Sequence, residues 1–201
     1  MKRTGVLAVL AVFTIFLSAC GINSIPRAEE EAKAKWAEVE NQYQRRLDLL
    51  PNLASAVRAN GQQELALQIG VAEARARTAQ TQIGPDQLRD ANAMRQFAEA
   101  QGQLSSLVSG VRVTVTNEAT PSQRNTDLVQ TVLSQIEGAE NRVAVARRDY
   151  NQAVQAYNTR IRTFPSIIGA RVIYGSQPIQ PFEASEGAER APNMDFGNYS
   201  R

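Results

Sequence analysis

The chain has 201 residues, 43% of them hydrophobic and 6% aromatic, enough for one buried domain plus a tail. Its formal charge is +2; with Lys2 and Arg3 of the N-terminal leader set aside, basic and acidic side chains balance, which argues against a nucleic-acid binder. A single cysteine rules out an internal disulfide, and the lack of histidine removes Ser-His and Cys-His pairs, the usual zinc sets and Glu-x-x-His di-iron motifs.

Lys2 and Arg3 precede an apolar run, Gly5–Leu17, of 13 residues. A membrane-spanning helix takes about 20 residues, a signal-peptide core about 7–15. Ser18 and Ala19 then lead into Cys20, and Leu17-Ser18-Ala19-Cys20 resembles the lipobox of bacterial lipoproteins at all four positions. The resemblance implies cleavage before Cys20, a diacylglyceryl thioether on its sulfur and an acyl chain on the new N-terminus. Several chains on one residue anchor a protein stably, where one chain binds only marginally. The other readings are an uncleaved helix over Gly5–Ile22 and an ordinary buried thiol. With either anchor the leading cations stay cytoplasmic and the remainder is exported. Gly21 after the cysteine is similar to lipoproteins sent to the outer membrane, facing the periplasm, in cells with two membranes. Residues 1–19 are therefore expected to be a signal peptide and residues 20–28 a tether.

Helical periodicity begins after the tether. Trp36, Val39, Tyr43, Leu47, Leu50, Ala54 and Val57 recur at steps of three and four, one face of an amphipathic helix starting near Ala28. Glu29, Glu30 and Glu31 suit the positive end of its dipole. Pro51 predicts a kink, and Asn60-Gly61 a C-terminal cap. A second stripe follows through Leu65, Ile69, Ala72, Ala76, Ala79 and Ile83, ended by Gly84-Pro85. Asp86 is a candidate cap for a third helix, with Phe97, Gln101, Leu104, Val108, Val111 and Val115 on one face. Within it "VRVTVT" alternates like a strand, but it continues the helical stripe in phase, so helix is the preferred reading. After Thr120-Pro121-Ser122 the last stripe is the cleanest: Val129, Val132, Ile136, Ala139, Val143, Ala146, Tyr150, Val154, Tyr157, Ile161 and Phe164, stopped by Pro165.

Length selects an architecture. The span 123–164 makes a helix of about 63 Å, whereas 86–117 makes only about 48 Å. An unbroken first helix over 28–83 would reach about 84 Å and leave much of its apolar face unpaired. A break at Asn60-Gly61 instead gives an all-α, antiparallel four-helix bundle of long helices over residues 29–164. A three-helix bundle with a long, kinked first helix is the alternative. Residues 165–201, rich in Gly, Pro, Ser and Glu, read as an irregular C-terminal tail that packs partly on the bundle.

The stretches "WAEVENQYQRRLDLLPNL", "VAEARA", "EGAENRVAVARRDYNQAVQAYNTRIRTFP" and "PFEASEGAERAPNMDF" resemble the LemA family of bacterial envelope proteins, over about Ala32 to Phe196. The resemblance implies an N-terminal membrane anchor followed by a helical bundle, often outside the cytoplasm. It supplies no catalytic residues. Family members commonly carry an apolar anchor without a lipobox cysteine, so this chain looks like a lipoprotein-type member.

Little in the sequence speaks for catalysis. Glu137 and Glu140 lie three apart and could hold a hard cation, but Arg142 and Arg147 beside them favour solvated ion pairs. No phosphate loop appears, so no cofactor, metal or small-molecule substrate is expected. Two polar stripes flank the apolar seams: Asn41, Arg45, Asp48 and Asn52 on the first helix, Glu140, Arg147, Asn151 and Asn158 on the last. They are expected either to meet in a hydrogen-bonded network fixing helix register or to be wet flanks. The function expected is a non-catalytic structural or interaction protein of the envelope, with the membrane and other envelope proteins as partners. An accessory subunit of an envelope protease or phosphatase-like enzyme is the alternative, and would show an exposed apolar patch. An enzyme in its own right is the least favoured reading.

Overall fold

The computed structural model describes residues 23–59, 65–117 and 123–183. Four long helices form the body: α1 (Ser24–Ala59), α2 (Leu65–Gln80), α3 (Ala91–Asn117) and α4 (Gln123–Arg162). A 3-10 turn (Pro85–Arg89) joins α2 to α3, and a short α5 (Ser166–Val172) follows α4. Among the described residues there is no strand, and no helix is long and apolar enough to cross a membrane. Cys20, the leader and Asn60-Gly61 lie outside the described residues, as do Thr120-Pro121-Ser122 and residues 184–201.

The helices run up, down, up and down, which is the antiparallel bundle the lengths select. Arg160 at the end of α4 donates to the Ser24 carbonyl at the start of α1, and Arg46 meets Glu140 midway. Gly70 of α2 abuts Leu107 of α3, and Arg77 reaches back to Gln103. α2 and α3 are therefore antiparallel to each other, as α1 and α4 are. α1 starts at Ser24, earlier than the glutamate run suggests, because Ile25, Ala28 and Ala32 extend its buried face. Glu29 consequently sits beyond the first turn and pairs with Lys33 and Arg89 instead of serving the dipole. Pro51 lies inside α1, which continues to Ala59.

The apolar stripes of α1 and α4 hold almost completely. Every expected α4 position from Val129 to Ile161 is buried, but Phe164 is 81% exposed. α4 ends at Arg162 and the chain turns at once, so Phe164 leaves the face that its spacing would give it. α2 departs further: Ala72, Ala76 and Ala79 face water, and Val71, Ala74 and Thr78 turn inward. Alanine carries little burial energy, so it does not set the phase. Close approach does: a Cβ on Gly70 would lie 3.0 Å from a Leu107 methyl. At the start of α3 the cap is Asp90, not Asp86: its carboxylate accepts from the amides of Asn92 and Ala93. α3 then runs through "VRVTVT" to Asn117, in line with the helical reading.

Two core sections stack along the bundle. One joins Leu50, Leu53 and Val57 of α1 to Val71 of α2, Leu104 and Val108 of α3, and Val129–Ile136 of α4, a four-helix cross-section. In the other, α2 has already ended. Ile83, Leu88, Ile179 and Phe182 occupy its place beside α1, α3 and α4. Trp36 is the centre of that section. It is 1% exposed, donates its indole N–H to the Ile83 carbonyl at 3.1 Å, and meets the rings of Phe97 and Tyr150 at centroid distances of 5.3 and 5.1 Å. Trp36→Ala removes packing on three sides and is expected to cost about 3–5 kcal/mol, measured by chemical or thermal unfolding of the variant against the parent.

Candidate functional site

The polar groups of the last helix converge on the chain's own C-terminal segment. α4 carries the dipeptide Tyr-Asn twice, Tyr150-Asn151 and Tyr157-Asn158, seven residues apart. Seven residues are two helical turns, about 10.5 Å, so both pairs present to the same side. Residues 175–183 run alongside without helix or strand. Tyr157 donates its hydroxyl to the Gln177 carbonyl at 3.1 Å. Asn158 donates to the Ile179 carbonyl at 2.8 Å and accepts the Ile179 amide at 3.0 Å. One repeat earlier on the helix, Tyr150 donates to the Gln180 carbonyl at 2.8 Å. Asn151 donates to the Phe182 carbonyl at 2.9 Å and accepts its amide at 2.7 Å. Each Tyr-Asn pair thus holds a carbonyl at one position and both backbone groups two residues on.

The other side of the strap is fixed by the 3-10 turn, where the Gln180 amide donates to the Leu88 carbonyl at 2.9 Å. Ile179 and Phe182, three residues apart, drop into the core beside Tyr43 and Phe97. Arg147 lays its guanidinium 3.8 Å from the centroid of the Phe182 ring. Burial pushes the Tyr150 phenol well above its ordinary value, so the hydroxyl is a donor and not a base.

A second polar feature sits midway along the bundle. Arg46 is 3% exposed, donating to Ser105 Oγ at 3.0 Å, to Gln101 Oε1 at 2.7 Å and to the Gln101 carbonyl at 3.3 Å. Glu140 stands 3.8 Å away across the seam, and the Tyr43 ring lies below the guanidinium. Burial lowers the Arg46 pKa, opposed by Tyr43 and Glu140. Burial also raises that of Tyr43, with Arg147 and Arg46 opposing it. These groups line a cleft of ≈ 300 Å³ between α1, α3 and α4. It holds one carboxylate, two arginines and a protonated phenol, and no base adjoins Ser105. The arrangement can fix a charge in place; it offers no activated nucleophile.

The two expected polar stripes therefore part company. Asn41, Arg45, Asp48 and Asn52 are exposed; Asp48 accepts from Gln44 on its own helix, and Arg45 has no carboxylate or amide partner among the described residues. Glu140, Arg147, Asn151 and Asn158 are half-buried and engaged: Arg147, Asn151 and Asn158 with the C-terminal strap, Glu140 with Arg46 of α1, and Arg147 also with Tyr43 of α1. Lys35 meets Asp149 across the exposed edge of the seam at 3.4 Å, and the buried residue of α1 that crosses it is Arg46, next to the Arg45 that the stripe selected. Its signal was available: Trp36, Val39, Tyr43, Arg46, Leu50, Leu53 and Val57 alternate steps of three and four without a break. Glu137 and Glu140 form no metal cluster; among the described residues no group of three acidic or sulfur side chains gathers.

The fold and these contacts define a class: an all-helical bundle whose longest helix, α4, clamps residues 177–182 where α2 has ended. The LemA family profile matches residues 35–196. The chain belongs to the LemA family. A search of curated proteins finds no match.

Two outcomes test the clamp. Asn158→Ala leaves the amide and carbonyl of Ile179 without partners and is expected to cost about 1–3 kcal/mol, with faster hydrogen exchange at Ile179 and Phe182 than in the α1 core. The folded-state pKa of Tyr150 is raised, so its stabilisation is complete below the ordinary value of 10.0 and is lost as pH climbs above that value. Thermal unfolding across that range is expected to show an alkaline decline that Tyr150→Phe flattens.

Proposed function

We propose that this LemA-family chain is a membrane-anchored cell-envelope lipoprotein acting as a non-catalytic structural or interaction protein. The observation that carries the non-catalytic reading is where its polar chemistry goes. The engaged tyrosines, asparagines and arginines hold the chain's own backbone and helix register, and no base is paired with a nucleophile in the cleft between α1, α3 and α4. Anchoring is supported by Leu17-Ser18-Ala19-Cys20 after a short apolar run, with α1 starting only four residues beyond the cysteine. The bundle is then exported and held against a bilayer, facing the periplasm from the outer membrane in a cell with two membranes.

Mass spectrometry of the mature N-terminus is expected to show acylated Cys20, and Cys20→Ala to release the protein or leave its precursor uncleaved. An unmodified Met1 on a membrane-bound chain would reject lipidation in favour of a single spanning helix over Gly5–Ile22.

A further inference from the structure

Exposed apolar side chains are concentrated at one end of the bundle. Of the seven large hydrophobic residues exposed among the described residues, five lie between Phe164 and Tyr174: Phe164, Ile168, Val172, Ile173 and Tyr174. Phe164 is 81% exposed and Val172 79%, values far from those of a residue that packing has claimed. α5 buries Gly169 and Ala170 against the bundle and turns Ile168 and Val172, one helical turn apart, to the outside. The small inner residues seat this helix; the large outer ones do nothing for the fold.

The place of this patch is fixed by the chain on both sides. α4 ends at Arg162, and the strap returns to meet Tyr157 through Gln177, so residues 163–176 cap the end of α4. The same end carries the start of α1, where Arg160 holds the Ser24 carbonyl and Tyr157 reaches Glu29. Cys20 precedes Ser24 by four residues, which extend to about 14 Å at most. An anchor at Cys20, or a spanning helix over Gly5–Ile22, therefore brings α5 up to the bilayer surface. Charge at the corner itself agrees: between Asp149 and Glu183 the chain has Arg160, Arg162 and Arg171 and no carboxylate, and of the three glutamates at the adjoining start of α1, Glu29 and Glu30 are paired with Lys33 and Arg89. Large apolar side chains flanked by arginines and a tyrosine suit the boundary between acyl chains and anionic headgroups.

We infer that Phe164, Ile168, Val172 and Ile173 insert into the lipid interface as a second membrane contact beside the N-terminal anchor. The inference rests on the anchored reading and adds an orientation: the bundle stands with its α1 start and α5 corner on the bilayer. One short tether alone would let the rod swing; two contacts on the same end hold it.

The test uses the full-length lipidated chain in vesicles of phosphatidylethanolamine and phosphatidylglycerol with brominated acyl chains. Phe164→Trp places a fluorophore in the patch, Ile173→Trp provides a second position, and Val145→Trp marks an exposed apolar site about 25 Å up α4. The native Trp36 is buried and gives the background. The expected result is quenching at positions 164 and 173 at least about twofold greater than at 145. Equal quenching at all three positions, with the protein still floating with the vesicles, overturns the inference and leaves the anchor standing. Shielding of position 164 from iodide without lipid quenching also overturns it, in favour of a second copy or the enzyme partner of an accessory subunit. Failure of the full-length chain to float overturns the anchored reading, and the inference with it.

Discussion

A numerical match between two periodicities holds one half of this molecule together. Seven residues of α-helix advance about 10.5 Å, and three residues of extended chain advance about 9–10 Å. Tyr-Asn pairs placed seven apart on α4 therefore meet equivalent backbone groups placed three apart on the strap, at Gln177 and Ile179 and again at Gln180 and Phe182. The asparagine amide has one donor and one acceptor edge, so it replaces the neighbouring strand that an extended segment otherwise needs. An isolated extended chain buried against a helix would leave those backbone groups unpaired, at a cost that no apolar contact of two side chains recovers. The side-chain ladder removes that cost and lets Ile179 and Phe182 enter the core.

The rest of the fold follows from that entry. α2 has only 16 residues, about 24 Å, against about 60 Å for α4, so a pure four-helix cross-section exists at one end only. At the other end the aromatic group of Trp36, Tyr43, Phe97 and Tyr150 is open on one side until Ile83, Leu88 and Phe182 close it. Trp36 ties this closure to the loop after α2 through the Ile83 carbonyl, and the Leu88 carbonyl ties the strap to the turn before α3. Sequence-distant pieces thus share one small core, and each is held by a named hydrogen bond as well as by burial.

What could be read in advance divides along the same line. The stripes of α1 and α4 were legible because a large apolar residue recurs every three or four positions and the two helices bury them against each other. The phase of α2 was not, since its candidate positions were alanines and the deciding contact, Gly70 against Leu107, depends on a partner helix. The spacing of Asn151 and Asn158 marks them as polar residues needing partners and points to the first helix, whereas the actual partner is a proline-flanked segment twenty or more residues downstream. Nothing local to α4 reports that choice; Tyr150 and Tyr157, counted as core, hide their hydroxyls in the same way. Arg46 is hard to read for a different reason. A cation in an apolar repeat reads as an interruption, although the unbroken three-four spacing marked it as a seam position.

That cation shows how the bundle separates stability from specificity. A guanidinium in a helix seam gives up hydration, and the Glu140 carboxylate at 3.8 Å is too distant for a tight bidentate pair. Ser105 and Gln101 on α3 accept from its two terminal nitrogens, while Nε is buried without a partner, so the charge is tolerable only when α1, α3 and α4 stand in this register. Sliding α1 by one heptad would leave Arg46 beside apolar side chains and lift a leucine into its place, an arrangement penalised by an unpaired buried charge. Long helices with regular apolar stripes have several nearly equivalent alignments, and a single polar position distinguishes among them. Register then has a direct structural consequence: only the observed alignment puts the start of α1 level with the end of α4, and with it sets α5 beside the start of α1.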